Sequence, residues 1–505
     1  MIDAVLANLR EFWMVHALLV LYTVMLAHHA WSGKRSTKGL ADYYVGGRSM
    51  GGWVIGLSFF ATYSSTNSFV GFSGQTYSWG LPWLLFIPTA VGFSLFAWIV
   101  VAPRLRAFTA AMDSLTIPDF IGFRFASTPA RVFAAIIVIA ASFFYMTAVF
   151  KGIGNLLEVF LEIPYRLSIV IVFFIVMTYT MIGGFISVVK TDSVQGVVMV
   201  IAAVILFFGT VNAAGGFGAV TEVRAQPGGE ALFTWGGGVA VPVLIGTMVA
   251  GLVKFAVEPR QLSRFFALEG DRAIRTGMWV SSLTFAAVFS LLIPVGIYAR
   301  RIFPTGIEDT DLVVPTLLSD VFGQGTSAFL LVAMVAAAMS SLDSVLLVMA
   351  STTERDLVAV ARPGRSEAQE MFWTKTWVAL FAFITMLISL NPPGGIVELT
   401  AFSGALYGAC FFPTLVLGLH WRRGNGSAVI ASFLVGIGVL LFWNPIPGSE
   451  VLHEIFPAML LSTLAYVGGS LWGTDTADAR VRALLDGGSG VDVPAAIEAE
   501  AGVEV

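Results

Sequence analysis

Runs of about twenty apolar residues recur along this chain, and a run of that length is what a helix needs to cross the hydrocarbon of a bilayer. Read between charged or Pro/Gly-rich breaks, the sequence predicts thirteen spans near 12–31, 51–72, 80–103, 131–151, 166–186, 192–213, 238–257, 274–299, 327–349, 371–391, 398–419, 427–443 and 452–472. Composition excludes the soluble alternative. Hydrophobic residues make up 57% of the 505 and charged residues 12%, against about 25% charge in a soluble domain. With 28 Lys+Arg and 32 Asp+Glu, most of the surface cannot face water. A net charge of −4 offers no basic footprint for nucleic acid. The lone Cys410 excludes an intramolecular disulfide and a cysteine-rich metal site. The chain reads as an all-α, multi-pass protein of the cell membrane whose partner is the bilayer. No obligate protein partner is indicated.

Lysine and arginine in the loops set the orientation. With the N-terminus outside, about twenty basic residues fall on the inner side, among them Arg260 and Arg264, and six fall outside. That bias follows the positive-inside rule. The first run, preceded by Arg10 alone, is longer than a signal-peptide core and reads as a retained span. The expected organisation is a first helix and inner loop over 1–50, five-helix blocks over 51–213 and 214–426, and two accessory helices over 427–472. A disordered inner tail over 473–505 completes it. The odd number of spans per block requires opposite topologies for the two blocks.

The interruptions carry the chemistry. Residues Thr62–Ser68 of the second span are small and polar except for Tyr63. Such side chains offer the backbone alternative hydrogen bonds, and unwound backbone at mid-membrane is tolerated where it lines a cavity. A Ser/Thr-rich helix interface is the plainer alternative. The seventh span, with Gly246, Thr247, Gly251 and Lys254, is a second weak helix. Broken spans at corresponding places in two halves point to a transporter site. In the ninth span Ala337, Ser340, Ser341 and Ser344 share one helical face beside Asp343. A carboxylate inside a span is a functional-site candidate, and hydroxyl, carbonyl and carboxylate oxygens suit a hard cation.

The run Asp42-Tyr43-Tyr44-Val45-Gly46-Gly47-Arg48-Ser49 resembles the sodium/solute symporter family, and so do Phe69–Gly74, Thr116–Phe120, Gly183–Phe185 with Thr191–Gln195, and Thr353–Leu357. The resemblance extends in order over roughly 40–420. It implies a LeuT-type five-plus-five inverted repeat, alternating access and sodium-driven uptake. It places a main sodium site on Ala61, Ser64, Ala337, Ser340 and Ser341. A second cation site in some members corresponds to Asp192, Ser340, Asp343 and Ser344. Here Asp343 departs from the pattern, because a small polar residue is expected there. Two carboxylates would strengthen that site, bind a proton, or pair with Lys254, which alternatively snorkels to the inner interface. Tyr63 is a second departure, at a position where some proline carriers hold a carboxylate.

The expected solute contacts are Ser65, Asn67 and Ser68, with Phe144, Tyr145 and Met248 as apolar walls. Few charges among them favour a small carboxylate, such as an amino acid or monocarboxylate, over a densely charged ligand. The rival is a proton-coupled carrier or channel using Asp192, Asp343 and Lys254. An enzyme is not expected: five histidines lack metal-ligand spacing, and neither H-E-x-x-H nor G-x-S-x-G occurs.

Overall fold

The computed structural model describes residues 10–443 and 452–487. The expected twelfth and thirteenth spans fall within these limits, whereas residues 1–9, residues 444–451 between those two spans, and the tail from 488 onward lie outside the described residues. Among the described residues ten helices are long and apolar enough to cross a membrane. The principal helices are α1 (Trp13–Ser36), α2 (Gly52–Tyr63), α3 (Phe72–Trp79), α4 (Leu81–Ala111), α5 (Thr128–Leu161) and α6 (Tyr165–Ala213). They continue as α7 (Val241–Leu252), α8 (Pro259–Phe266), α9 (Asp271–Ile302) and α10 (Gln324–Thr352). Last come α11 (Glu367–Ser389), α12 (Ile396–Phe411), α13 (Gly426–Phe442), α14 (Ile455–Trp472) and α15 (Ala479–Gly487). The expected fifth and sixth spans are the two arms of α6, which reverses at Gly184 with φ 63° and ψ −176°. That backbone region is essentially glycine's own.

Burial sorts the helices. In the most apolar window of the α10 and α12 segments 83% of residues are buried, against 17% for α1 and 28% for α14. The site must therefore be sought around α10 and α12, with α1 and α14 at the lipid. Large side chains such as Trp53, Phe442 and Trp472 are exposed on the outer surface, as contact with acyl chains requires. Helix α2 approaches α9 through Gly52 and Gly56. A Cβ on Gly56 would lie 2.9 Å from the Gly277 carbonyl, so only hydrogen fits, as small-xxx-small packing in membranes demands.

Two expectations are corrected here. The seventh span does not stop at Val257: after a bend it continues as α8, so Arg260 and Arg264 are not inner-loop residues but are 1% exposed in the core. The tail is not disordered from 473, since α15 folds back with Val481 and Leu484 buried and Asp486 paired to Arg422 at 2.6 Å.

Candidate functional site

The second span breaks where its serines cluster. Helix α2 ends with Ser64 N–H donating to Phe60 O at 2.9 Å, and Ser64 itself is extended at φ −73°, ψ 107°. Winding resumes when Ser68 N–H reaches Ser65 O, and residues Asn67–Gly71 form a π-helical turn before α3. The end of α2 leaves carbonyls without helical donors, and tertiary groups take them. Ser340 Oγ donates to Ala61 O at 2.9 Å and also lies 2.8 Å from Ala337 O. Ser341 Oγ donates to Thr62 O at 3.0 Å. The Gln261 carboxamide spans Phe59 O and Tyr63 N–H at 3.2 and 3.1 Å. Ser64 Oγ, Thr66 Oγ1, Asn67 Oδ1 and Ser68 Oγ are buried and without hydrogen-bond partners. Ala61, Ala337, Ser340 and Ser341 thus converge at one point beside the broken backbone, with Ser64 opening the break. Their donor set is oxygen only, as sodium requires.

Span seven breaks for a different reason. Proline disfavours helical geometry in the residue before it, and Glu258, preceding Pro259, is extended at φ −78°, ψ 125°. The single turn Lys254–Val257 lies between α7 and that break. Arg260, from the first turn of α8, donates Nε to Glu258 Oε1 and Nη1 to Thr62 O, each at 2.6 Å. Its guanidinium lies 3.8 Å from the Tyr145 ring centroid. One break is thereby pinned to the other.

Arg264 occupies the centre of the expected second cation set. Its Nη2 donates to Asp192 Oδ2 and to Ser344 Oγ, both at 2.7 Å. Asp192 Oδ2 also accepts from Ser58 Oγ at 2.7 Å and Thr62 Oγ1 at 3.1 Å. Ser344 Oγ lies 2.8 Å from Ser340 O and 3.3 Å from Asp343 Oδ1. Asp192, Ser340, Asp343 and Ser344 do come together, but the charge partner of Asp192 is Arg264. Asp192 Oδ1 and Asp343 Oδ2 remain buried without partners. Asp343 forms no ion pair of its own among the described residues, and its side-chain contact is Ser344 Oγ.

Lys254 neither pairs with Asp192 or Asp343 nor snorkels. It is 2% exposed, and its Nζ donates to Thr400 O at 3.1 Å. The rings of Tyr145 and Tyr63 lie 5.0 and 5.8 Å from it. Of the expected walls, Met248 is buried in α7. Phe144 packs edge-on against Phe402 at 4.8 Å between centroids. Both phenylalanines line a cavity of about 460 Å³ with Thr247, Val397 and Ala401. Ser65, Asn67 and Ser68 lie in the break and the π-helical turn that follows it.

The sequence reading missed Glu258, Arg260 and Arg264 because basic residues after an apolar run resemble an inner loop. One signal was present. Arg260 and Arg264 are four apart, on one helical face, among Leu262, Phe265 and Phe266. A flanking loop has no need of that apolar company.

Comparison with known proteins agrees with this architecture. The chain is 27% identical over 464 residues to a sodium/pantothenate symporter of Haemophilus influenzae, covering 90% of this chain and 96% of the relative. It is 31% identical over 460 residues to the osmoregulated proline transporter OpuE of Bacillus subtilis, covering 88% and 92%. Among solved structures, a Na⁺-coupled sialic acid symporter superposes with a TM-score of 0.79 at 19% identity, over 92% of this chain and 98% of that one. A nucleobase-cation-symport-1 family transporter, MHP1, superposes at 0.54 with 16% identity, over 88% and 98%. These two share its fold. Residues 43–436 match the Sodium:solute symporter family, and the chain belongs to it.

Proposed function

We propose that this protein is a sodium-coupled secondary symporter that imports a small organic solute, a small carboxylate such as an amino acid or monocarboxylate, by alternating access. Thirteen spans with the N-terminus outside, ten of them in a LeuT-type inverted repeat, form the framework of that reading. The observation that carries it is the meeting of the broken α2 with α10, where Ser340 and Ser341 reach Ala61 O and Thr62 O at 2.9 and 3.0 Å. Hydroxyls that donate to carbonyls in this state turn their lone pairs to a cation when it enters. Sodium is a substrate here, held by Ala61, Ser64, Ala337, Ser340 and Ser341. Solute contacts are assigned to Ser65, Asn67, Ser68, Phe144, Tyr145 and Met248. Binding of sodium orders the break, and an ordered break presents Ser65, Asn67 and Ser68 to the solute; coupling of this kind is reciprocal. Each sodium moving inward down 100 mV contributes about 2.3 kcal/mol, enough for roughly 50-fold accumulation of a neutral solute.

The unpartnered Asp343 Oδ2 supports a second cation or a proton on Asp343, with Asp192 held by Arg264. Uptake into proteoliposomes, with choline replacing sodium at fixed pH, tests the coupling. Loss of at least nine-tenths of the uptake is expected. Uptake that persists in choline and follows a pH gradient would overturn sodium coupling in favour of a proton carrier through Asp343.

A further inference from the structure

We infer that the solute carries an ammonium group, received in the cavity between α3, α5, α7 and α12 by the rings of Trp79, Phe144 and Phe402 and the carboxylates of Glu398 and Glu454. The inference rests on the reading of this chain as a sodium-coupled solute symporter. Within that reading it selects an amino acid or betaine over a monocarboxylate that lacks an amine.

Charge in the cavity lining has one sign. The volume of about 460 Å³ suits a small solute, and Phe144, assigned above to the solute contacts, forms part of the wall. Glu398 and Glu454 line it, and no lysine or arginine does among the described residues. Lys151 is engaged by Asp311 at 2.8 Å and Lys254 by Thr400 O at 3.1 Å; neither belongs to the lining.

Both carboxylates keep a charge to offer. Glu398 accepts from Gly395 N–H at 3.2 Å through Oε2, which caps α12, and it forms no ion pair among the described residues. Glu454 lies 3.5 Å from His453 Nδ1, but that nitrogen accepts from Ile455 N–H at 3.3 Å. It therefore carries no proton, and the imidazole is not a counter-ion for Glu454. Burial also holds the His453 pKa below its ordinary value. The segment that bears Glu454 is seated directly on α7, because a Cβ on Gly246 would lie 2.1 Å from His453 Cβ.

The rest of the lining suits the same ligand. Trp79 joins the Phe144–Phe402 pair, whose centroids are 4.8 Å apart, and ring faces attract an organic ammonium. Gln75 Oε1, one turn before Trp79, is buried without a hydrogen-bond partner and belongs to a residue of the same lining. An ammonium needs acceptors for its protons, and Gln75, Glu398 and Glu454 supply them. A solute with a carboxylate alone would meet two charges of its own sign, which select against it. The plainer role for these glutamates is to complement the N-terminal ends of α12 and α14. Glutamine at 398 keeps the capping acceptor and loses the charge, so the two roles separate.

The test uses the purified full-length protein and thermal-shift titrations of matched pairs, each in sodium chloride and in potassium chloride. The pairs are L-alanine with L-lactate, L-proline with tetrahydrofuroate, and glycine betaine with tert-butylacetate. Within each pair the carboxylate and the size are kept and the ammonium is lost. At least one ammonium solute is expected to give a saturable shift in sodium, and its ammonium-free counterpart to bind about 30-fold more weakly or not at all. Glu398→Gln together with Glu454→Gln should weaken the ammonium solute about tenfold or more. The inference is overturned if no ammonium solute binds, if the counterpart binds equally, or if the double variant binds like wild type. The matched pairs need no variant, so a misfolded double variant does not blunt the test. Sodium-dependent binding of an ammonium-free acid, but of no ammonium solute, overturns this inference and leaves sodium symport standing. Ammonium binding that the double variant loses, but that is equal in sodium and potassium, does the reverse.

Discussion

Individual side chains set the charge pattern of the core. Removing the hydroxyl at 341 takes one oxygen from the cation set and leaves Thr62 O to Arg260 alone. Ser341→Ala is therefore expected to raise the sodium concentration for half-maximal uptake about tenfold or more, equivalent to about 1.4 kcal/mol, with expression unchanged. Uptake assayed across a sodium series reads this directly. Arg264 has a structural role as well, since it is the partner of a fully buried Asp192. Breaking such a pair by truncating one member costs about 3–5 kcal/mol. Arg264→Ala should lower the unfolding midpoint in detergent accordingly, and Asp192→Asn in the same chain should recover part of the loss. Full stability of the single variant would remove Arg264 from this role. Asp192 entered through the family resemblance, and Asp343 was visible in the sequence because a carboxylate inside an apolar run is conspicuous. Arg264 was not, because it follows the run and its partner is 72 residues away.

At the scale of the helix, breaks and reversals follow from local chemistry. The serine cluster at 64–68 and the Glu258-Pro259 step each stop a helix by a mechanism readable from residue type. The full length of span seven was not readable, because the extended turn at Glu258 hides the continuation into α8. Gly184 shows how narrow such a device is. It holds φ 63° and ψ −176°, and a Cβ there would lie 2.6 Å from Tyr43 Cδ2. Gly184→Ala is expected to cost about 1–3 kcal/mol from backbone conformation alone, with the clash in addition. Gly218, around which 4 Å is open, supplies the control: its alanine variant should keep the wild-type thermal midpoint. Equal midpoints for both variants would show that the α6 reversal tolerates a side chain.

Over the whole molecule, two questions were separable: whether the chain crosses the membrane, and what its crossings enclose. Apolar run length answered the first, and loop charge favours an orientation with the N-terminus outside, a proposal that labelling of the loops tests. In a Cys410→Ala background, which removes the chain's one, buried cysteine, Ala225→Cys should react with an impermeant maleimide in intact cells. Ala368→Cys, exposed at the start of α11, should react only after permeabilisation. The opposite pattern would invert the molecule. The recurrence of apolar runs, the broken second span and the small-residue face of α10 were determined by the sequence, because run length, hydrogen-bonding competition and helical periodicity are properties of consecutive residues. Which charges meet was decided by the tertiary structure. Asp192 with Arg264, Thr62 O with Arg260, and Lys254 with Thr400 O and two tyrosine faces are pairings between distant segments. They depend on how helices cross in three dimensions, and nothing in the spacing along the chain encodes that crossing.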